Sequence, residues 1–256
     1  MIGAIIGDIA GSRFEWHNIK TKEFDLLTHK CSFTDDTVMS LAICEALMRS
    51  KTNYSDLAEQ AVICMQEVGR PYPGCGYGGH FRHWMYDDNP QPYNSFGNGA
   101  AMRVSGCGYA ADSIEVVKKL AHLVTAVTHN HPEGLKGAEA TAVAVYMART
   151  GSSMMEIRDY INANYYPMDF TLADIRTEYT FDVTCQGSVP QALQAFFEST
   201  SFEDAIRNAI SIGGDSDTIA AITGGIAEAY YGVPTSIRKH ALTFLDERLL
   251  SILVEF

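Results

Sequence analysis

The chain has 256 residues, of which 46% are hydrophobic and 20% charged, so it can bury a large core in one domain or in two. Its formal net charge of −12 argues against a large non-specific contact with nucleic-acid backbones, because such contacts need clustered Lys and Arg. A small anionic ligand in a locally arranged pocket is compatible with this charge.

Cysteine usage and hydropathy bear on the compartment. The six Cys residues are scattered and form no Cys-x-x-Cys pair, which predicts reduced thiols. Residues 1–8 are apolar but lack the basic region of an export signal. No apolar run approaches the ~18 to 20 residues needed to cross a bilayer. We therefore expect a cytoplasmic monomer that does not contact membranes.

Helical signals dominate the first half of the chain. Thr34 is expected to cap a helix over residues 36–49, which has a regular apolar face. Ser55 is expected to open a second helix that reaches about residue 68. Asp112-x-x-Glu115 resembles a capping box before a helix that continues to about residue 127.

The second half also reads as helical. Ser153-x-x-Glu156 resembles a capping box before a helix over 157–162, and Pro132 and Pro190 fit first helical turns. The small-residue segments 137–144 and 219–227 predict buried helices, and a last helix is expected over 236–253. The best strand candidate is the short segment 179–183, and loops are expected over 70–79, 87–99 and 165–171. We predict an all-α fold with one domain over residues 1–256.

Two short acidic motifs, residues 33–37 (Phe-Thr-Asp-Asp-Thr) and 213–218 (Gly-Gly-Asp-Ser-Asp-Thr), are the strongest functional signal. Helix capping explains them in part, because Thr and Asp are favoured at helix N-termini. However, each motif has two acids where one cap is enough, and each places Thr beside an acid. Hard oxygen ligands of this kind suit Mg²⁺, Mn²⁺ or Ca²⁺. If the fold joins the two motifs, the chain has a multi-carboxylate cation site.

Other polar motifs admit structural explanations as well. Asp8 lies in an apolar, glycine-rich stretch, where an unpaired carboxylate would be costly, and Glu15 follows seven residues later. Residues 97–103 form either an ordinary glycine turn or one whose N–H groups face a phosphate. The cluster at residues 129–133 matches no standard zinc spacing, so capping or ligand hydrogen bonding is the better interpretation. Zinc is not expected at Cys75, His80 and His83 either.

As a set, these motifs resemble the ADP-ribosylglycohydrolase family, which includes dinitrogenase-reductase-activating glycohydrolase and the vertebrate ADP-ribosylhydrolases. The resemblance rests on five segments in the family's order: Gly7-Asp8-x-x-Gly11 with Glu15, residues 33–37, Phe96-Gly97-Asn98-Gly99-Ala100-Ala101-Met102-Arg103, Thr128-His129, and residues 213–218. It implies an all-α orthogonal helical bundle with two divalent cations, Mg²⁺ or Mn²⁺, in a central cleft.

The resemblance also implies roles for individual residues. The metal ligands would be Thr34, Asp35, Asp36, Asp215, Asp217 and Thr218. The diphosphate and distal ribose would be held by Phe96, Gly97, Asn98, Gly99, Ala100 and Met102, and His129 would contact the ADP-ribose. Catalysis would involve Glu15, Asp35 or Asp36, and which of them guides proton transfer is left open.

The implied activity is hydrolysis of the bond between the distal ribose of ADP-ribose and an acceptor, either a modified protein side chain or a small molecule. Hydrolysis at an anomeric carbon ordinarily uses two carboxylates, and metal ions can position the attacking water and lower its pKa. The linkage could be to arginine, serine, an acetyl group, a nucleobase or further ADP-ribose, and Glu15 slightly favours an O-linked substrate.

Two other functions are considered. The main alternative is an ADP-ribose-binding module or inactive relative without turnover. Isoprenoid-synthase-like chemistry is disfavoured, because the motif beginning at Asp35 lacks an acid at its fifth position. The chain is short for the family, and residues 74–92 match no family motif. Trp84, Tyr86 and Tyr93 are therefore candidates either for core packing or for contacts with adenine or the modified target.

Overall fold

Fifteen α-helices and one 3₁₀ helix, Ser12–Phe14, account for the regular structure of the computed structural model, which describes residues 1–256 and contains no β-strand. None of the helices has the length and apolar composition needed to cross a bilayer. The helices are α1 Ile2–Gly11, α2 Asp35–Arg49, α3 Leu57–Gly69, α4 Gly79–Tyr86, α5 Gly99–Met102, α6 Ser105–Ala110, α7 Ile114–Thr125, α8 Pro132–Arg149, α9 Met154–Asn164, α10 Leu172–Ile175, α11 Cys185–Phe197, α12 Phe202–Ser211, α13 Ser216–Tyr231, α14 Thr235–Leu242 and α15 Glu247–Glu255.

The most extensive helix pair is α1 with α13, at the centre of the molecule. Glycines at positions 3, 7 and 11 recur every four residues, so they lie on one face of α1. A Cβ on Gly7 would lie 1.9 Å from the carbonyl oxygen of Ala220, and one on Gly11 would lie 2.5 Å from Cα of Asp217. The two backbones can therefore touch, which brings the end of α1 against the start of α13.

One contiguous hydrophobic core contains buried side chains from both halves of the sequence. All ten residues of α1 are buried, as are the small-residue stretches of α8 and α13. The prediction of an all-α, single-domain helical bundle is confirmed. Helix α1 itself was not predicted, because a helix buried on every side has no amphipathic period to recognise.

The predicted helix starts are right in two cases and displaced in two. Thr34 caps α2 by accepting from Asp36 N at 3.2 Å, and Ser153 with Glu156 forms the expected capping box of α9. The box at Asp112 was wrong, because Ser113 caps α7 by accepting from Val116 N. The helix expected to open at Ser55 begins at Leu57 instead.

Three further predictions need correction. Pro132 does occupy the first turn of α8, but Pro190 lies inside α11, five residues after its start. The last helix is two helices, α14 and α15, separated at residues 243–246. The strand candidate 179–183 is not a strand, and the chain's only β-type pairing is an isolated bridge between Gly97 and Thr184. That bridge places residues 181–183 beside the Gly97 turn.

Candidate active site

A cleft of about 410 Å³ opens where the two acidic motifs meet. It brings together residues that are distant in the sequence, including the starts of α2, α5 and α13. Most of the predicted site residues line it: Glu15, Asp35, Asp36, Gly97, Asn98, Gly99, Met102, His129, Asp215, Asp217 and Thr218. Three do not reach its surface. Ala100 is fully buried, Phe96 packs against His131 with ring centroids 5.1 Å apart, and Thr34 lies behind the carboxylates.

We call the carboxylate side of the cleft the acidic wall: Glu15, Asp35, Asp36, Asp215 and Asp217. Carboxylate oxygens of Glu15, Asp215 and Asp217 lie within 4.8 Å of one another. The hydroxyl of Thr218 donates to Asp36 Oδ2 at 3.2 Å, which joins the start of α13 to the start of α2. The fold therefore combines the two acidic motifs, as the sequence required for a cation site.

Asp8 supports this wall from behind. Its carboxylate accepts hydrogen bonds from Thr34 N at 2.9 Å, Thr34 Oγ1 at 2.7 Å and Thr37 N at 3.0 Å, and also from Thr37 Oγ1. Burial nevertheless raises the pKa of Asp8 to about 6. Asp8 thus fixes the first turn of α2 against α1, a role that the sequence could not assign because Asp8 and Thr34 are far apart along the chain.

The carboxyl groups of the acidic wall have few partners, and their pKa values are raised. Burial, followed by the charges of Asp8 and Asp215, raises the pKa of Asp35 to about 8. Burial and the charges of Asp215 and Asp8 raise the pKa of Glu15 to about 7. Burial also raises the pKa of Asp36 and of Asp217 well above the usual range of carboxyl groups. No Lys or Arg forms an ion pair with any of the five side chains.

Two buried oxygen atoms of this wall, Asp36 Oδ1 and Asp217 Oδ1, have no hydrogen-bond partner. Buried unpaired carboxylate oxygens are costly unless a cation or proton compensates them. The donor set is all oxygen, from carboxylates and the Thr218 hydroxyl, which suits hard divalent cations. The residues present therefore fit the divalent cations that the sequence predicted.

The loop before α13 is shaped by two glycines. Gly213 and Gly214 have φ of +70° and +77°, in the left-handed region that other residues rarely adopt. Asn18 holds this loop, since it accepts from Gly214 N at 2.8 Å and donates to Gly214 O at 2.9 Å. This geometry turns Asp215 and Asp217 towards Glu15, which lies only three residues before Asn18.

The second side of the cleft, which we call the neutral wall, comprises residues 97–102 with Arg103, Thr128 and His129. Asn98 connects the two walls, since its Nδ2 donates to Asp215 Oδ2 at 2.7 Å and to Ser188 Oγ at 3.1 Å. The N–H groups of Gly97 and Asn98 are bonded to Ser95 Oγ and Val183 O. Within the turn, the Gly99 N–H has no protein partner.

The comparisons with known proteins agree with this geometry. The sequence model of the ADP-ribosylglycohydrolase family matches residues 1–253. The chain belongs to the ADP-ribosylglycohydrolase family. That membership confirms the resemblance inferred from the motifs and places the chain among hydrolases that act on ADP-ribosyl linkages.

Several individual proteins are similar over most of their length. The chain is 28% identical to "ADP-ribosylhydrolase ARH3" of Xenopus tropicalis, over 91% of this chain and 86% of that protein. It is 26% identical to "ADP-ribosyl-[dinitrogen reductase] glycohydrolase" of Rhodospirillum rubrum, over 91% and 84%. A solved structure described as "ADP-ribosylglycohydrolase-related protein complex" has the same fold, with a TM-score of 0.72 at 23% identity, over 98% of this chain and 93% of that one.

In this member of the family, the cleft mouth is aromatic on one side. Trp16 is 72% exposed and stacks on Phe181, with ring centroids 5.0 Å apart. Both rings and the exposed Val183 line the cleft. Sequence reasoning missed this group, which we call the aromatic rim, because residues 181 and 183 reach Trp16 only through the long connection between α10 and α11.

Residues 74–92, which match no family motif, form part of the edge of the cleft. Gly76, Gly78, Gly79 and His80 line it, and a Cβ on Gly76 would lie 3.1 Å from Asp35 Oδ1. Among the three aromatic candidates only Tyr93 lines the cleft. Trp84 is buried against Phe81, and Tyr86 is exposed elsewhere.

The histidines at positions 129 and 131 have hydrogen-bond partners within the protein. The only group of three or more metal-ligating side chains with mutually close ligand atoms is Glu15, Asp215 and Asp217. His131 instead caps α8, because its Nδ1 accepts from Glu133 N at 3.1 Å. The capping role expected within residues 129–133 is thus observed at His131.

Proposed function

We propose that this protein is a divalent-cation-dependent hydrolase that cleaves the bond between the anomeric carbon of the distal ribose in an ADP-ribosyl group and its acceptor, releasing ADP-ribose. The acceptor is a modified protein side chain or a small molecule. The observation that carries this proposal is the acidic wall, five carboxylates without cationic partners, facing a neutral wall in one cleft of a family member.

The proposed ligands of two Mg²⁺ or Mn²⁺ ions are Thr34, Asp35, Asp36, Asp215, Asp217 and Thr218. Bound cations would supply Lewis acidity and lower the pKa of a water at the reacting carbon. Thr34 lies outside the cleft surface in its present position, where its hydroxyl donates to Asp8 and accepts from Asp36 N. A hydroxyl has two lone pairs, so one remains for a cation.

Glu15 is the acid best placed to move a proton. It lies within the carboxylate cluster but outside the proposed ligand set, and its side chain is half-buried. A general acid or base works best with a pKa near the working pH, and the pKa of Glu15 is raised to about 7 by burial and by Asp215 and Asp8. Asp35 and Asp36 would act at the reaction centre mainly by holding the cations.

The neutral wall is proposed to hold the diphosphate and the distal ribose. Because Gly97 and Asn98 already use their N–H groups within the protein, the donors left for the ligand are the Gly99 N–H and the imidazole of His129. Three apolar residues of this segment would shape the ligand pocket without donating hydrogen bonds: Phe96, Ala100 and Met102. Phe96 lies outside the cleft surface in its present position.

A release assay tests the proposal directly. The purified protein would be incubated with defined ADP-ribosylated arginine, serine, nucleobase and O-acetyl substrates, each with Mg²⁺, with Mn²⁺ and with EDTA. We expect free ADP-ribose from at least one substrate and none in EDTA. Binding of ADP-ribose without release from any substrate would favour the alternative, a binding module without turnover.

Two further expectations accompany this function. All six cysteines are free, and five of them are buried, which is compatible with the proposed cytoplasmic location. We also propose that the protein acts as a monomer, since the cleft is built from residues of one chain. Size-exclusion chromatography with light scattering would test the second point.

A further inference from the structure

One residue of the neutral wall is a buried cation that has no acidic partner. Arg103 is only 1% exposed and is the only Lys or Arg that lines the cleft. Its Nη2 donates to Thr128 Oγ1 at 2.6 Å and lies 3.4 Å from His129 Nδ1. The guanidinium also lies over the ring of Phe81, 5.8 Å from its centroid. Arg103 therefore faces a hydroxyl and an imidazole rather than the carboxylates of the opposite wall.

Hydrogen-bond chemistry fixes the roles within this group. A guanidinium only donates, and the Thr128 hydroxyl carries a single proton. Thr128 Oγ1 lies 2.7 Å from His129 Nδ1 but 3.4 Å from its other acceptor, Thr125 O, so the proton belongs on the shorter contact. With this assignment two donors, Arg103 and Thr128, converge on Nδ1, which then accepts and carries no proton of its own.

The other ring nitrogen then carries the proton and faces the cleft. A Cβ built on Gly97 or on Gly99 would lie 3.6 Å or 3.5 Å from His129 Nε2, so this atom adjoins the glycine turn. No protein group accepts a hydrogen bond from Nε2, whereas Nδ1 is in contact with both Arg103 Nη2 and Thr128 Oγ1. Burial and the nearby Arg103 charge also lower the pKa of His129 well below its usual range, which keeps the ring neutral.

We propose that Arg103 and Thr128 are positioning residues that lock His129 in the Nε2-protonated tautomer, so that the imidazole donates one hydrogen bond to a substrate oxygen held at the Gly97–Gly99 turn. The second half of this statement rests on the proposed function, whereas the tautomer does not. In this role Thr128 acts through its hydroxyl and Arg103 through its N–H groups, and both act on the substrate only by way of His129.

The tautomer can be measured in the wild-type protein without any substrate. Long-range ¹H–¹⁵N spectra of ¹⁵N-histidine-labelled protein distinguish a protonated ring nitrogen from an unprotonated one, and His129→Gln assigns the signal among the eight histidines. We expect an unprotonated Nδ1 and a protonated Nε2 for His129 at neutral pH. A protonated Nδ1 would overturn the proposal, whatever the activity of the protein.

Two pairs of variants test the consequence for binding. Thr128→Val removes the hydroxyl with little change in volume, and Thr128→Ser retains it. We expect Thr128→Val to alter the His129 ¹⁵N shifts and raise the Kd for ADP-ribose about tenfold, the effect of one hydrogen bond, and Thr128→Ser to stay within about twofold. Likewise, the His129→Gln variant should bind ADP-ribose more tightly than His129→Asn, because the Gln amide can donate a hydrogen bond from about the position of Nε2. Thermal melts establish that each variant is folded.

The outcomes separate this inference from the proposed function. If the wild type releases ADP-ribose but Thr128→Val matches it in both ¹⁵N shifts and Kd, the positioning role is wrong and the function stands. If the tautomer and the Thr128→Val effect on ADP-ribose binding are as expected but no substrate is cleaved, the hydrolase proposal fails and the positioning role stands.

Discussion

The two walls of the cleft differ in how their buried polar groups are hydrogen-bonded. The acidic wall gathers five carboxylates, and two of its buried oxygens, on Asp36 and Asp217, lack any partner. The neutral wall contains a fully buried Arg103, whose Nη2 is hydrogen-bonded to Thr128 and faces Nδ1 of His129, although its Nε also lacks a partner. The first wall concentrates acidic groups and requires cations or protons, whereas the second has most of its hydrogen bonds in place before any ligand arrives.

This difference divides the proposed chemistry. Unsatisfied carboxylates confer affinity for cations at some cost in stability, and preorganised donors hold a ligand without reorganisation. Asn98 is the only side chain that hydrogen-bonds across the cleft, to Asp215.

Substitution of one carboxylate in the acidic wall should have the largest effect. We expect Asp35→Asn to lower metal-dependent turnover by about 10²-fold or more, because a cation loses a charged ligand while the fold is kept. The measurement is ADP-ribose release in saturating Mg²⁺, with a thermal melt of the same sample. Asp159→Asn, at an exposed position of α9, is the matched control. Full activity of Asp35→Asn would contradict the ligand assignment.

Metal removal should make stability depend on pH. The folded chain binds more protons than the unfolded chain between the ordinary carboxyl pKa of about 4 and the pKa of about 8 at Asp35. In EDTA the free energy of unfolding should therefore fall as pH rises through this window.

Mg²⁺ should reverse that loss, since its ligands must be deprotonated. At pH about 8, Mg²⁺ at a hundredfold excess over its Kd should add about 2.7 kcal/mol to the free energy of unfolding, and at pH about 5 it should add much less. Urea denaturation across pH measures both effects. An EDTA-treated protein that gains stability with rising pH would contradict the account of the acidic wall.

The hydrogen bond from Asn98 to Asp215, which joins the two walls, should be sensitive to a negative charge at position 98. Asn98→Asp replaces the amide that donates to Asp215 at 2.7 Å with a second acceptor. We expect the free energy of unfolding in EDTA to fall by about 2 kcal/mol, with part of the loss recovered in Mg²⁺. Ser188→Ala removes the other partner of Asn98 and should cost about 1 kcal/mol or less. Equal losses in the two variants would show that charge plays no special part here.

The aromatic rim should affect the acceptor rather than the nucleotide. Because Trp16 is largely exposed, we expect Trp16→Ala to leave the melting temperature unchanged. The KM for an ADP-ribosylated protein should rise about fivefold, equivalent to about 1 kcal/mol, while the Kd for free ADP-ribose stays the same. Met155→Ala, also highly exposed but away from the cleft, is the control, and identical behaviour of the two variants would exclude the rim from acceptor binding.

Local features of the molecule were readable from the sequence. The cap at Thr34, the capping box at Ser153 and the small-residue helices α8 and α13 follow from rules that act within a few residues. Local rules failed where neighbouring residues offered equivalent solutions, as when Ser113 rather than Asp112 capped α7. They also failed for α1, whose burial on all sides erases the periodic pattern.

The functional groups of the site can be read from residue types alone: two acidic motifs at helix starts, Glu15, and a glycine turn before a Met-Arg pair. Their spatial arrangement cannot, because it depends on how distant helices pack. The close packing of α1 on α13 at Gly7 and Gly11 places Asp8 behind α2 and joins Asp36 to Thr218. The Arg103–Thr128–His129 group and the aromatic rim could not be predicted from the sequence either. Each depends on contacts between segments that are distant in the sequence, and sequence separation does not determine distance in space.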